Sequence, residues 1–514
     1  MEDHSDDDHD HLLCASLKGH SSCVRHLLTL PQVNPNWQDT FGASPLCIAS
    51  FHGQLEIVKL LLNDKRVDIN QATRDEKETP LYLACQEGRV KIVKLLLEDK
   101  RIDVNKSDIN NGTPFSAACF HGHVETVKLL LKDQRVDLNR AEKTCGSTPF
   151  YIACYNKHPE VVKLLLNDQR VDVNKPENSV GVTPFYFCCQ LGIIEIVRLL
   201  LNCERVDINK AQSEGATPLH IACEKGQTEI VKLLLSDKRI KITRNKSGQT
   251  PFLIACAGGQ MEIVKLLLSD QRVDVNQPDI NGATPFLIAC AQVQVKLVKF
   301  LLTDKRINIT KGEDTLGASP FHVACKQGNI EIVKLLLNDN RVKINQALKS
   351  GETPFYLACI HERIEVVKFL LSDKRVDMNK DNNTQTPLWI ACINGQIEIV
   401  KLLLRDDRAE INKPNSGSAT PLFIACVQGF LEIVEWILAC RKDVDLTIKN
   451  MIGKTPLEIA KHRSKSTRKL EMETEMNFQR AKKNCPKIVK LLESFQKNSD
   501  ETRTKLRTQL GLPG

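Results

Sequence analysis

Eleven cysteines stand in one register of this chain: Cys85, Cys119, Cys154, Cys189, Cys223, Cys256, Cys290, Cys325, Cys359, Cys392 and Cys426. A thiol repeated at fixed intervals suggests disulfides, metal ligation or nucleophiles. If each recurrence marks one layer of packed helices, neighbouring thiols lie roughly 10 Å apart. That exceeds the ~7 Å Cα separation a disulfide bridges. A column also cannot converge four ligands on a tetrahedral zinc ion. A free, buried cysteine behaves as a small apolar residue, so packing is the expected role. Cys145 differs: it falls in an expected turn, where a redox or ligand role is open.

Other residues with chemical potential have similarly plain readings. His4, Asp6, Asp7, Asp8, His9, Asp10 and His11 form an N-terminal cluster that would bind a divalent metal weakly. Its expected role is a solvated, disordered leader whose acids favour the start of the first helix. Lysines recur from Lys59 through Lys94 and Lys128 to Lys401, and arginines from Arg66 through Arg101 and Arg135 to Arg272. Alone they suggest a phosphate track. Glutamates such as Glu56, Glu125 and Glu262 precede the lysines by three residues, a spacing that puts acid beside base on one helix surface. Asp64, Asp99, Asp133 and Asp168 accompany the arginines, so a charge-balanced, solvated face is expected. Lys461 to Lys469, with Lys482 and Lys483, is the one concentrated basic stretch, a candidate import signal or anion contact. There is no P-loop, dinucleotide fingerprint, HExxH, CxxC pair or GxSxG, so no catalysis and no cofactor or metal are expected.

The elements that carry these residues are set by repetition. A Thr-Pro or Ser-Pro pair recurs thirteen times, from Ser44-Pro45 to Thr455-Pro456, at steps of 33 to 35 residues. Such a period means stacked supersecondary units. Thr caps a helix and Pro takes its first position, where a missing N–H costs nothing. A short apolar helix follows, as in Pro80 to Cys85, and Gly88 closes it with left-handed backbone. The second helix, as in Lys91 to Leu97, is apolar on more than one face and must be buried on two sides. Neither helix is long enough to stand alone, so stability must come from stacking.

The unit resembles the ankyrin repeat. Thr217-Pro-Leu-His-Ile-Ala-Cys223, Gly226 and Glu229 to Leu235 carry the resemblance, with Asp274-Val-Asn276 and Asp279 to Pro285 completing the pattern. It covers about residues 10 to 495 in register. It implies an all-α repeat solenoid of helix–turn–helix units with β-hairpin-like connecting loops, a curved, elongated array of about fourteen repeats. The expected organisation is an acidic leader over 1–9, a degenerate capping repeat over 10–43, and twelve repeats over 44–454. A split repeat over 455–495 carries a charged, protruding insert at 464–485, and 496–514 form a tail that caps the stack or bears a partner motif. Two departures bear on stability. Thr-Pro-Leu-His is complete only at 217–220, so the family's Thr–His bonding is expected to be scarce. Lys157, Val293 and Glu362 replace the interhelix Gly, and a β-branched residue is strained there, so the turn at Val293 is expected to shift.

The formal charge of +8 over 514 residues argues against a dedicated nucleic-acid binder. No apolar run approaches the roughly 18 residues of a membrane span. The acidic N-terminus is the opposite of a secretory signal, so the cytosol is expected, with the nucleus as an alternative.

What varies between units is the pair of residues after the cysteine register and the turn before Thr-Pro. The candidate groove is Gln86, Glu87, Phe120, His121, Tyr155, Asn156, Gln190, Leu191, Glu224, Lys225, Lys326, Gln327, Ile360, His361, Ile393 and Asn394, with Ile280 and Asn281 at a turn. In proteins of the resembled family such positions line the groove and fingers where partners bind. Large apolar residues among them cost solubility unless something covers them. The resemblance thus implies a monomeric, non-enzymatic scaffold for one or more protein partners. An adaptor delivering cargo through its C-terminal repeat and tail, or an elastic membrane-skeleton spacer, are the alternatives. The Asp-x-Asn turns at Asn70, Asn105, Asn139, Asn174, Asn209, Asn276 and Asn379 resemble substrates of asparaginyl hydroxylation, and otherwise shape the turns.

Overall fold

The computed structural model describes residues 5–466, 469–470 and 474–513, with side chains from residue 8 onward. The chain divides into two compact units. One comprises Met1–Ala255 with Glu262–Val273, the other Cys256–Met261 with Asp274–Gly514. Both are built the same way. The described residues form 29 helices, and the first 28 fall into fourteen consecutive pairs. The result is an all-α repeat array.

Each pair follows from its sequence. Thr148 is extended (φ −80°, ψ 162°), and its hydroxyl accepts the Tyr151 N–H; Pro149 takes the first helical position. The helix Pro149–Tyr155 ends at a left-handed residue, and Pro159–Asn167 runs back beside it. The left-handed turn is kept where Gly is absent: Lys157, Val293 and Glu362 have φ of 61°, 58° and 55°. The shift expected at Val293 does not occur. Gln294 N–H still donates to Ala289 O at 3.0 Å, as Arg89 N–H does to Ala84 O at 2.8 Å. Neighbouring bonds hold the valine in place, so the strain is retained rather than relieved. Within each unit the connecting loops form fingers, most of them bonded to the next by a backbone hydrogen bond, as Asn178 N–H to Cys145 O at 2.8 Å.

The core is a stack of recurring side chains. Phe115, Phe150 and Phe185 in the first unit, and Phe286, Phe321 and Phe355 in the second, are fully buried after their prolines. All eleven cysteines of the register are buried, and no disulfide joins them. Burial pushes thiols such as Cys85, Cys223 and Cys392 far above the ordinary range.

Polar staples bind repeat to repeat. Asn139 Nδ2 donates to Arg170 O at 2.7 Å, and its Oδ1 accepts the Asp172 N–H at 2.7 Å. Asn70, Asn105, Asn174, Asn209, Asn276 and Asn379 do the same to the next repeat. Asn36, Asn345 and Asn412 form the same pair of bonds, whereas Thr243 and Thr310 stand at this position in two other turns. The arginine column, expected to be a solvated face, is a second staple. Arg170 is held by Asp168 and donates to Leu131 O at 2.6 Å; Arg239 does so to Leu201 O and Arg408 to Leu371 O. These carbonyls end the preceding repeat's second helix, where a cation is favoured. The guanidinium lowers its partner carboxyl at Asp168 and Asp237. The third staple comes from the residue after the left-handed turn: His123 Nε2 bonds Gln86 O, and His158 Nε2 bonds Phe120 O, both at 2.8 Å. The lysine column behaves as its spacing predicts: Lys59, Lys128 and Lys265 pair with Glu56, Glu125 and Glu262.

His220 bonds Thr217 and Gln249 O, and its counterpart His322 bonds Ser319, so the Thr–His arrangement occurs twice. Elsewhere other donors take over the link to the next repeat. Trp389 Nε1 donates to Ala419 O at 3.0 Å, and Tyr82 OH to Asp108 at 3.0 Å.

Both ends differ from expectation. Helix Ser5–Lys18 begins inside the stretch read as a leader. His9 is buried, stacks on Trp37 at 4.6 Å, and accepts the Asn34 N–H at 2.9 Å, so it is a packing residue. His4 lies outside the described residues. At the other end, residues 467–468 and 471–473 of the insert lie outside the described residues. The insert's second half joins the last repeat's second helix in one 23-residue helix, Glu475–Lys497. Phe478, Ala481, Cys485, Ile488, Leu492 and Phe495 form its buried stripe at helical spacing. Pro486 sits where Pro159 starts an ordinary second helix, marking the join. Arg480 lies 3.9 Å from the Phe430 ring centre and donates to Gln428 O; Asn484 donates to Gly429 O. The basic stretch is also partly structural. Arg463 is buried and donates to Val427 O, and Lys461 pairs with Glu493; Thr467 and Arg468 lie outside the described residues. The tail helix Ser499–Gln509 buries Leu506, and Arg507 donates to Ala439 O, so the tail caps the last helices.

Candidate functional site

The groove candidates separate into three groups. Phe120 and Tyr155 are 48% and 55% exposed although both are large and apolar. They line a cavity of about 420 Å³ in the first unit, with Asn156 and Gln190. The loops 141–147 and 177–182 form its outer wall, and the first helices Pro149–Tyr155 and Pro184–Leu191 its floor. A smaller hollow of about 260 Å³ lies on the other side of Phe120 and includes His121.

The second group is exposed or half-buried and lines neither hollow. Leu191 ends its helix in solvent, Glu224 pairs with Lys225 at 2.8 Å, and Ile280 stands 68% exposed at a finger tip beside Asn281. Gln86 O accepts from His123, Glu87 lies 3.7 Å from Arg89, and Lys326 and Gln327 belong to links between repeats. His361 and Asn394 are exposed. The third group corrects the sequence reading. Ile360 and Ile393 are not exposed anchors: both pack against a cluster of Tyr356, Trp389 and Ile390. Large aromatics at the histidine position of these two repeats cover them.

The cavity's chemistry follows from its walls. Tyr155 and Phe187 stack at 5.2 Å between ring centres, and Tyr151 tilts against Phe187 at 5.4 Å. Glu177 accepts from the N–H groups of Ser179, Val180 and Val182 and from the Ser179 hydroxyl. These donors hold its carboxyl down to about 2 despite burial. Glu142 has its carboxyl raised by burial, then by the charge of Asp108. Burial and Glu177 raise the Tyr151 hydroxyl. Cys145 is exposed in this wall, its Sγ 3.0 Å from Ser147 Oγ. Sequence reading missed Tyr151, Phe187 and Glu142. The signal was present: Phe187 occupies a position that is Leu83, Ile152 or Ile221 elsewhere.

The asparagines of the turns lie away from this cavity, and both amide atoms of each are bonded to the next repeat. A hydroxylase would have to open a rung to seat one. Among the described residues no group of three or more metal-binding side chains occurs, and no helix is long and apolar enough to cross a membrane.

A family model for ankyrin repeats in sets of three matches residues 12–108, 103–177, 169–246, 240–313, 308–382 and 374–450. The chain belongs to the ankyrin-repeat family, whose repeats generally mediate protein–protein interaction. The last helix pair and the tail lie beyond the matched residues. Comparison with curated proteins gives no match.

Proposed function

We propose that this chain is a non-catalytic scaffold that seats a protein partner on the finger and first-helix face, centred on the cavity beside Phe120 and Tyr155. One observation carries the reading. Two large rings stay half-exposed around a formed cavity, while the same register is covered by neighbours at Ile360 and Ile393. Rings of this kind supply interface energy when a partner covers them. The repeats around them are stapled on three sides, so the face is offered with little ordering cost. The adaptor alternative loses support, because the tail helix is occupied in covering the last repeat.

The test is a photo-crosslinking residue placed at Tyr155 and, separately, at Lys163 on the second helix, followed by mass spectrometry of adducts from cell extract. A discrete adduct from Tyr155 that disappears with Phe120→Ala supports the proposal. Identical adducts from both positions, or none from Tyr155, would sink it.

A further inference from the structure

The charge lining the cavity is of one sign. Its lining includes two carboxylates, Glu142 and Glu177, and no lysine, arginine or histidine. The hollow across Phe120 shares Glu142 and adds Asp108, with His121 as its one basic group. His121 is held toward neutrality, first by burial and then by His123. This clustering of acids occurs in a chain whose formal charge is +8. Lys143 follows Glu142 on the same finger but is exposed and outside the lining.

The two carboxylates differ in what they have left to offer. Glu177 is saturated by four donors from its own loop, so it contributes charge without a free acceptor. Glu142 is half-buried beside other acids, and that burial costs free energy until a cation arrives. The same cavity is lined by Phe120, Tyr151, Tyr155 and Phe187. Aromatic faces attract a cation within about 6 Å of the ring centre, most strongly where water is excluded.

We propose that this cavity receives a lysine or arginine side chain of the protein partner, with Glu142 as its counter-ion and the rings around Tyr155 as its walls. The proposal rests on the reading of this face as a protein-binding site. The aliphatic stem of either side chain packs on the rings while the charged end reaches the carboxylate.

Short randomised peptides displayed on phage, selected against the full chain, test it. Selected binders are expected to carry Lys or Arg at one preferred position. Replacing that base with norleucine, or Glu142 with Gln, should weaken binding about tenfold, as loss of one charge-assisted bond does. Raising the salt should weaken it as well. Paired peptides with Lys, Arg or trimethyl-lysine at that position tell which cation fits best. Binders that are lost with Phe120→Ala but carry no base, or ignore Glu142→Gln, overturn the cation assignment and leave the binding face standing. If no selected peptide responds to Phe120→Ala or Tyr155→Ala, both readings fall. Both rings are half-exposed, and unchanged thermal melts of the variants confirm that the fold is intact.

Discussion

Replacing Asn139 with alanine removes both halves of one rung between adjacent repeats. Arg170 O loses its donor at 2.7 Å, and Asp172 N–H loses its acceptor at 2.7 Å. The turn itself survives, because the residue 139 N–H still donates to Asp137 Oδ1. At about 1 kcal/mol for each net hydrogen bond, the loss is about 2 kcal/mol. Asn394→Ala, an exposed position away from the rungs, is the control and should fall within about 0.5 kcal/mol. The reciprocal change is Thr310→Asn, in a turn that already has the same Asx bond from Asn308. It should add up to about 1 kcal/mol after the cost of ordering the new side chain. Urea unfolding gives the global effect. Because a long array need not unfold in two states, amide exchange of the repeats on either side of 139 is the more direct reading. Equal effects for Asn139→Ala and Asn394→Ala would refute the account of these asparagines as interrepeat bonds.

Three other predictions follow from single residues. Val293→Gly should leave stability unchanged or raise it by up to about 1 kcal/mol, as relief of left-handed strain exceeds the entropy cost of glycine; a thermal melt lowered by the change would contradict this. The Glu177 carboxyl lies below its unfolded value, so its contribution is complete above about pH 4.5 and lost as pH falls toward about 2. Glu177→Gln should therefore destabilise the wild type at neutral pH by about 2 kcal/mol and have little effect at pH 2, as urea titrations at both pH values would show. His322 is held down to about 4 by burial, so the proton-linked loss of stability from this residue should appear as pH drops from about 6.5 toward 4, and vanish in His322→Gln. Brief alkylation of the native chain should mark Cys14, Cys23 and Cys145 before any cysteine of the buried register, which peptide mass spectrometry resolves.

The helix pairs were legible because each is encoded locally, in Thr-Pro, the apolar run and the closing residue. The same locality explains what was missed. The arginines looked solvated because the carbonyls they cap lie more than thirty residues earlier, as Leu131 does for Arg170. Ile360 looked exposed because its cover, Trp389, belongs to the next repeat. Phe120 and Tyr155 were identified by their variation, but the cavity between them depends on Phe187 in the following repeat and on Glu142 in the finger that joins the two repeats. The fused helix Glu475–Lys497 was hidden by the Pro486 at its middle, which in sequence reads as a start.

That fused helix has a consequence for how the chain comes apart. In a one-dimensional stack, terminal repeats fray first because each has a neighbour on one side only. Here the final pair is clasped: one long helix reaches back to Gly429 and Phe430, and the tail helix closes over Ala439 and Lys442. Opening within the second unit therefore has no easy beginning at its C-terminal edge. It has one at Thr310, where a tooth is missing from the asparagine zip, so stretching or proteolysis of that unit should first release the repeats on either side of residue 310 while the clasped end is still folded.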